Sequence, residues 1–184
     1  MSEIRYMANP DDRFRQSIAK LWFDWYMEEE GFDMDHALTV VDGALRMARE
    51  NWLPQMYIAA DGDTAVGAVM AISVDNPAVA SRPLYPVVSS LYVDPAYRNR
   101  GIASGLVDCV GNFIFHESAR RKIGHIYLCT SLDGFYEKLG FKPLRNGFGY
   151  WVLHENHPNE KYVYHLTKLD FERRNHNGSF DAVS

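Results

Sequence analysis

Phe14, Ile18, Leu21, Trp22 and Trp25 recur at intervals of three and four, while from Met56 onward the apolar residues gather into short runs closed by turn residues. A period of three to four buries one stripe of a helix, and short apolar runs bury strands. A chain that changes from one pattern to the other is therefore neither a plain helical bundle nor a β-sandwich. Asn9-Pro10-Asp11-Asp12 reads as the start of the first helix, with Asn9 as its cap, Pro10 in its first turn and the aspartates at its positive end. Glu28-Glu29-Glu30-Gly31 closes it. Asp33 or Asp35 opens a second helix, with Ala37, Leu38, Val41, Leu45 and Ala48 on its apolar side.

Strands are expected at Ile4 to Met7, Met56 to Ala60, Thr64 to Val74 and Val87 to Val93. Asp61-Gly62-Asp63 turns the second of these into the third as an antiparallel hairpin. Pro95 stops the fourth, because proline donates nothing to a ladder. A helix from Ile102 to Ala119 follows, carrying the stripe Ile102, Leu106, Val110, Phe113 and Ile114, then a strand from His125 to Thr130. A short helix from Leu132 to Leu139 ends at Gly140, strand material lies at 141–144 and 150–154, and a last strand runs from Tyr162 to Leu169. The expected fold is mixed α/β (α+β): a mostly antiparallel sheet with one parallel crossover and helices on its faces. The 184 residues read as one domain over 1–170 and a polar tail, 171–184, that frays.

Nineteen basic and 24 acidic residues leave a net charge of −5, which argues against a broad nucleic-acid face. The longest basic cluster, Arg120-Arg121-Lys122, reads as a helix end. Two cysteines, Cys109 and Cys129, make no disulfide framework and read as buried free thiols. Met1-Ser2-Glu3-Ile4 starts no signal peptide, and no stretch approaches the roughly 18 apolar residues of a membrane span. The expected setting is the cytoplasm, with no membrane partner. No metal is expected, because His154, His157 and His165 lack ligand spacing and His116 has no second histidine four residues on.

The segment richest in chemistry is Leu91-Tyr92-Val93-Asp94-Pro95-Ala96-Tyr97-Arg98-Asn99-Arg100-Gly101-Ile102-Ala103-Ser104-Gly105-Leu106. A strand end, a glycine-bearing turn and a helix start follow one another there. Backbone amides of such a turn converge on one concavity, and the first helical turn adds unpaired donors and positive potential. A pyrophosphate fits that environment. Arg98 and Arg100 add charge, Gly101 leaves room for phosphate oxygens, and Ala103 and Ser104 are small. The spacing is neither the dinucleotide fingerprint nor a Walker loop. Solvated surface arginines are the competing reading of the same residues.

A second segment, Phe135-Tyr136-Glu137-Lys138-Leu139-Gly140-Phe141, lies beyond the strand ending at Thr130. Together the two segments resemble the GNAT superfamily of acyl-CoA-dependent N-acyltransferases. Arg98-Asn99-Arg100-Gly101-Ile102-Ala103 is similar to its coenzyme motif, Arg/Gln-x-x-Gly-x-Gly/Ala, and 135–141 to its Phe-Tyr-x-x-x-Gly-Phe motif. The resemblance covers Met56 to Leu144, and the order of elements extends it over Ile4 to Leu169. It implies a gap between two splayed parallel strands, Val87–Val93 and His125–Thr130, that takes acetyl-CoA as acyl donor without a metal. It assigns Leu91 and Val93 to the pantetheine arm and Arg98, Asn99, Arg100, Gly101, Ile102, Ala103 and Ser104 to the pyrophosphate, with Tyr92 as a further coenzyme-binding candidate.

The resemblance also places the Tyr136 hydroxyl near the coenzyme sulfur, as the acid that protonates the leaving thiolate; packing on a short helix is the alternative reading of that ring. The chain departs from the family pattern twice. Ser89 and Ser90 stand where many relatives carry a carboxylate base, which leaves a water relay from Ser90 or a carboxylate of the early helices. Ser131 stands where relatives often have asparagine and is a further candidate coenzyme contact.

Acceptor choice in this family resides largely in the first helices and the late strand loop. Trp25, Tyr26, Glu28 and Glu29 put carboxylates beside aromatic rings, a pairing that suits a cationic amine. Glutamates facing water at a helix end are the alternative. Tyr85 is a candidate wall of the acceptor pocket, with Phe148 and Tyr150 opposite. The activity implied is acetyl transfer to a primary amine of a small molecule by a monomer or homodimer. Acetylation of a protein or peptide, or a non-catalytic acyl-CoA-binding regulatory module, are the other readings. A purely structural protein leaves the paired motifs unexplained.

Overall fold

The computed structural model describes residues 3–26, 33–73, 85–130, 132, 134–144 and 162–178. These fall into two compact units, Met1–Ser73 with Val88–Val110, and Val74–Val87 with Gly111–Ser184. The fold is mixed α/β, as the alternating periods imply. Among the described residues no helix is long and apolar enough to cross a membrane.

In the first unit the strands run in the order β1 (Arg5–Ala8), β2 (Gln55–Asp61), β3 (Thr64–Ile72) and β4 (Val87–Val93), the last from Val88 on. β1 pairs antiparallel with β2 and β2 with β3. Helices α1 (Arg15–Tyr26) and α2 (Met34–Glu50) lay Phe14, Ile18, Leu21, Trp22, Ala37, Val41 and Leu45 into one core with Met56, Ile58, Ala68 and Met70 of the sheet. Each large side chain buried this way contributes about 1.5–3 kcal/mol. Asp33 caps α2 as its position implies, accepting from the His36 amide at 2.8 Å.

Two expectations fail here. Asn9 is not a helix cap: it takes a left-handed turn (φ +43°), and its side chain bonds Gln55 and the Met56 amide on β2. Asp11 caps instead, opening a 3-10 turn over Asp12–Phe14. Trp25 continues the apolar spacing of α1 yet stands 39 % exposed. It is on the last turn, beyond the reach of the core stripe.

In the second unit the order is β5 (His125–Thr130), β7 (Tyr162–Thr167) and β6 (Lys142–Pro143), both pairs antiparallel. The start of β4 is the parallel neighbour of β5: Val87 pairs with Tyr127, whose amide donates to Pro86 O at 3.0 Å. The helix expected over 102–119 divides. α3 (Ile102–His116) stops, and α4 (Ser118–Arg121) follows. Ser118 Oγ donates to Phe115 O at 2.6 Å, a local bond that competes with the helical ladder. The short helix expected from Leu132 shrinks to a 3-10 turn, Tyr136–Leu139, after a left-handed Gly134. Gly140 ends it at φ +86°. The strand material expected at 150–154 lies outside the described residues.

The polar tail is also corrected. α5 spans Lys168–Gly178, and Phe171 is 4 % exposed against Phe115, ring centroids 5.3 Å apart. Gly111 explains the docking, because a Cβ there would stand 2.7 Å from Phe171 Cζ. Gly111→Val should overpack this contact and lower stability by about 1–3 kcal/mol. The measurement is a denaturant midpoint; an unchanged midpoint refutes it. The two cysteines are free but only half-buried, not fully buried as expected.

His165 on β7 stacks on His125 of β5 at 5.5 Å, with Lys142 of β6 and Asp170 of α5 also acting on it. Burial first, then the His125 charge, hold its pKa below the ordinary value, while Asp170 opposes them. The neutral imidazole is thus the form that favours folding. Its stabilisation is whole above the unfolded pKa of about 6.5 and is lost as pH falls through the lower folded value. Denaturant midpoints taken from pH 7.5 down to 5 should fall for the natural chain and fall less for His165→Phe. Parallel curves would exclude His165 as the cause.

Candidate functional site

The informative turn of the first unit is built at the end of β4. Ser90 sits mid-strand at φ +54°, a left-handed conformation that breaks the pleat. Residues 89 to 92 lose the in–out alternation and are all half-buried. The Asp94 amide fastens the strand end to Val66 O at 2.9 Å, and the Asp94 carboxylate accepts from the Ala96 amide at 2.8 Å. That cap starts a 3-10 turn over Pro95–Tyr97.

Asn99 and Gly101 then take φ of +60° and +76°, on either side of Arg100. Such alternation turns successive amides toward one side, the geometry of an anion nest. α3 begins at once, and its first backbone bond is Gly105 N to Gly101 O at 3.0 Å. No hydrogen bond of the described residues uses the amides of Arg100, Gly101, Ile102, Ala103 or Ser104. Five consecutive donors at the positive end of a 15-residue helix form an anion site in need of an acceptor. Gly67 on β3 sets the helix in place: a Cβ there would lie 3.1 Å from Ile102 Cγ2 and 3.2 Å from Leu106 Cδ1. Beyond its chain neighbours, no atom of the described residues lies within 4 Å of a Cβ built on Gly101, so among them it is the positive φ that demands glycine there.

Both arginines of the turn are held. Arg98 Nε donates to Val93 O at 3.0 Å, and its guanidinium lies 5.3 Å from the centroid of Tyr92. Arg100 Nη2 donates to Ala96 O at 3.0 Å, and its guanidinium lies 5.0 Å from the centroid of Tyr97. With Nε engaged, Arg98 has only its remaining N–H groups to offer a phosphate. Tyr97 in turn donates to Asp61 Oδ2 at 2.9 Å. Sequence reading missed Tyr97 and Asp61, because 36 residues separate them and neither belongs to a motif.

Of the candidates for the acceptor wall, Trp25 stacks on Tyr92 at 6.4 Å and tilts against Tyr26 at 4.5 Å. Tyr92 therefore touches both an acceptor candidate and an arginine of the anion turn. The described carboxylate nearest in sequence is Asp24, which receives the Lys20 ammonium at 2.5 Å. That hydrogen bond is the main cause holding the Lys20 pKa above its ordinary value. Tyr85 is 39 % exposed. Ser89 and Ser90 place their hydroxyls 3.5 Å apart, and Leu91 and Val93 flank Tyr92 on β4. Glu28, Glu29, Ser131, Phe148 and Tyr150 lie outside the described residues.

In the second unit Tyr136 opens its 3-10 turn and is 8 % exposed. Its ring meets Phe135 edge-on at 4.9 Å and Phe141 at 5.9 Å. Tyr164 donates to Glu137 Oε1 at 2.7 Å, which ties the turn to β7 and holds the Glu137 pKa down. Among the described residues no group of three His, Cys, Asp or Glu is placed to hold a metal ion.

A family model described as an acetyltransferase (GNAT) domain matches residues 53–143. No curated protein matches at a significant level. Among solved structures, an acetyltransferase of the GNAT family from Staphylococcus aureus Mu50 shares 20 % identity, with 90 % of this chain and 99 % of that one covered and a TM-score of 0.59. An aminoglycoside 6'-N-acetyltransferase complexed with coenzyme A shares 21 %, covers 90 % and 97 %, and has a TM-score of 0.61. A chain of the NatC complex bound to Gag peptide and CoA shares 21 %, covers 90 % and 98 %, and has a TM-score of 0.57. At these identities the likeness is one of fold.

Proposed function

We propose that the chain, which the model of an acetyltransferase (GNAT) domain matches over residues 53–143, works as a GNAT acetyltransferase and transfers the acetyl group of acetyl-CoA to a primary amine of a small molecule. The observation that carries this reading is the run of unpartnered amides from Arg100 to Ser104, opened by left-handed Asn99 and Gly101. Neutral amide donors at a helix start suit a pyrophosphate, and Arg98 and Arg100 supply the opposing charge. Leu91 and Val93 are the residues proposed for the pantetheine arm, with Tyr92 and Ser131 as further candidates for the coenzyme.

In the reaction the neutral amine nitrogen attacks the thioester carbonyl carbon. The Val93 amide polarises the carbonyl oxygen, the carbon–sulfur bond breaks, and Tyr136 gives its proton to the departing thiolate. The amine must first lose a proton, since alkylamines are protonated near neutral pH. A water relayed by Ser90 takes it, or a carboxylate of the first helices does. The residues proposed to meet the acceptor are Trp25, Tyr26, Glu28, Glu29 and Tyr85, since aromatic faces and carboxylates both favour a cation. The aminoglycoside 6'-N-acetyltransferase of similar fold supports a small amine as acceptor.

Two measurements test this. Calorimetry with acetyl-CoA and with free CoA, in metal-free buffer, should show binding of both; no heat from either at millimolar coenzyme overturns the reading. An amine library assayed by thiol release should then yield turnover on small amines. Turnover confined to peptides would move the acceptor to the protein class, and binding without any turnover would leave a coenzyme-binding module.

A further inference from the structure

Tyr136 is carried by a turn too short to hold its own shape. The 3-10 turn Tyr136–Leu139 makes few backbone bonds, and the carbonyls at the end of such a turn need partners from outside it. The Phe141 and Gly140 amides donate to Tyr136 O and Glu137 O, each at 3.0 Å, with Gly140 left-handed. The Leu139 carbonyl, last in the turn, is met by a side chain 35 residues away: Arg174 Nη1 donates to it at 2.6 Å. A guanidinium on a carbonyl makes a charge-assisted bond.

Arg174 lies on α5, in the segment whose composition implies a fraying tail. Three contacts fix that helix instead. Asp170 receives the Lys142 ammonium of β6 at 2.7 Å, Phe171 packs on Phe115 of α3, and the Arg174 guanidinium lies 5.4 Å from the centroid of the Phe171 ring. Arg174 is half-buried, and burial holds its pKa below the ordinary value. A charge drawn out of water costs free energy unless polar groups compensate it, and Leu139 O is such a group. The turn is thus pinned twice from outside: Tyr164 of β7 donates to Glu137, and Arg174 of α5 to Leu139. The Tyr136 ring packs among aromatic neighbours but still moves with its backbone, and a catalytic group displaced by about 1 Å can cost about 100-fold in rate.

We propose that α5 belongs to the catalytic apparatus: Arg174, through Leu139 O, is a positioning residue that holds the Tyr136 turn in place for proton transfer to the leaving thiolate. The inference rests on the acid role given to Tyr136 above. Arg174 itself exchanges no proton in the reaction.

Arg174→Met keeps much of the apolar stem and removes the donor. On the full chain, with the best amine of the library, kcat by thiol release should fall about 10- to 100-fold. The acetyl-CoA dissociation constant from calorimetry should stay within about 3-fold, which also shows that the fold is kept. Arg174→Gln, too short to keep the bond, repeats the measurement with a polar side chain should the methionine variant not fold. In the Tyr136→Phe background the same substitution should lower the residual kcat by less than about 2-fold, because a turn with no acid to aim has nothing left to lose. A purely structural arginine would cost the same factor in both backgrounds. That equality overturns the proposal, as does a natural kcat in Arg174→Met. A Tyr136→Phe loss beside an unaffected Arg174→Met overturns this inference alone. Tyr136→Phe at the natural rate, or a natural chain that turns over no amine, overturns the reading above and this inference with it.

Discussion

Tyr136→Phe should lower kcat by about 100- to 10,000-fold, the range for loss of a positioned general acid, while acetyl-CoA affinity stays within about 3-fold. The substitution removes one oxygen and keeps the ring. That ring is what packs against Phe135, Phe141 and Tyr164, so the 3-10 turn should stand unchanged. An expelled thiolate without a proton donor is a poorer leaving group, and the deficit appears in kcat and not in binding. Rate and affinity are read separately, by thiol release at saturating amine and by calorimetry. A kcat equal to that of the natural protein removes Tyr136 from the chemistry.

Gly101→Val should weaken acetyl-CoA binding by about 100-fold, and Gly101→Ala by roughly 5- to 30-fold, the equivalent of about 1–2 kcal/mol for a non-glycine residue in the left-handed region. The cost is conformational, since no atom of the described residues beyond the chain neighbours crowds the position. A residue that relaxes to negative φ rotates the amides next to it, and the nest opens. Asn99 supplies the control: it shares the left-handed conformation at φ +60°, which glycine adopts freely, so Asn99→Gly should hold affinity within about 3-fold. Binding by Gly101→Val at natural strength would mean that the turn does not hold the phosphates.

The two predictions draw on different kinds of legibility. Gly101 was visible in the chain as a glycine between a strand and a helical stripe, but the reason for it was not. Spacing suggested room for phosphate oxygens, whereas the backbone shows a dihedral requirement. Ser90 drew notice as a hydroxyl where a carboxylate was expected, and the structure adds that it bends β4. Nothing in a Ser-Ser pair announces a left-handed residue inside a strand. The start of α2 narrows to Asp33 or Asp35 in the sequence because a capping bond spans three residues, and the structure selects Asp33. Asn9 was misread because its partners lie on β2, 46 and 47 residues away.

The sequence by itself determined the order of the strands and of the first three helices, the glycine turn between β4 and α3, and the pair of motifs that resemble those of the GNAT superfamily. Period, caps and breakers act within a few residues, so a linear reading can see them. Only the tertiary structure decided that Tyr97 reaches Asp61, that both turn arginines lie over tyrosine rings, and that Phe171 packs on Gly111 and turns an expected tail into a docked helix. Each of those depends on which distant side chains meet once the core has closed, and contacts across tens of residues leave no local spacing to read.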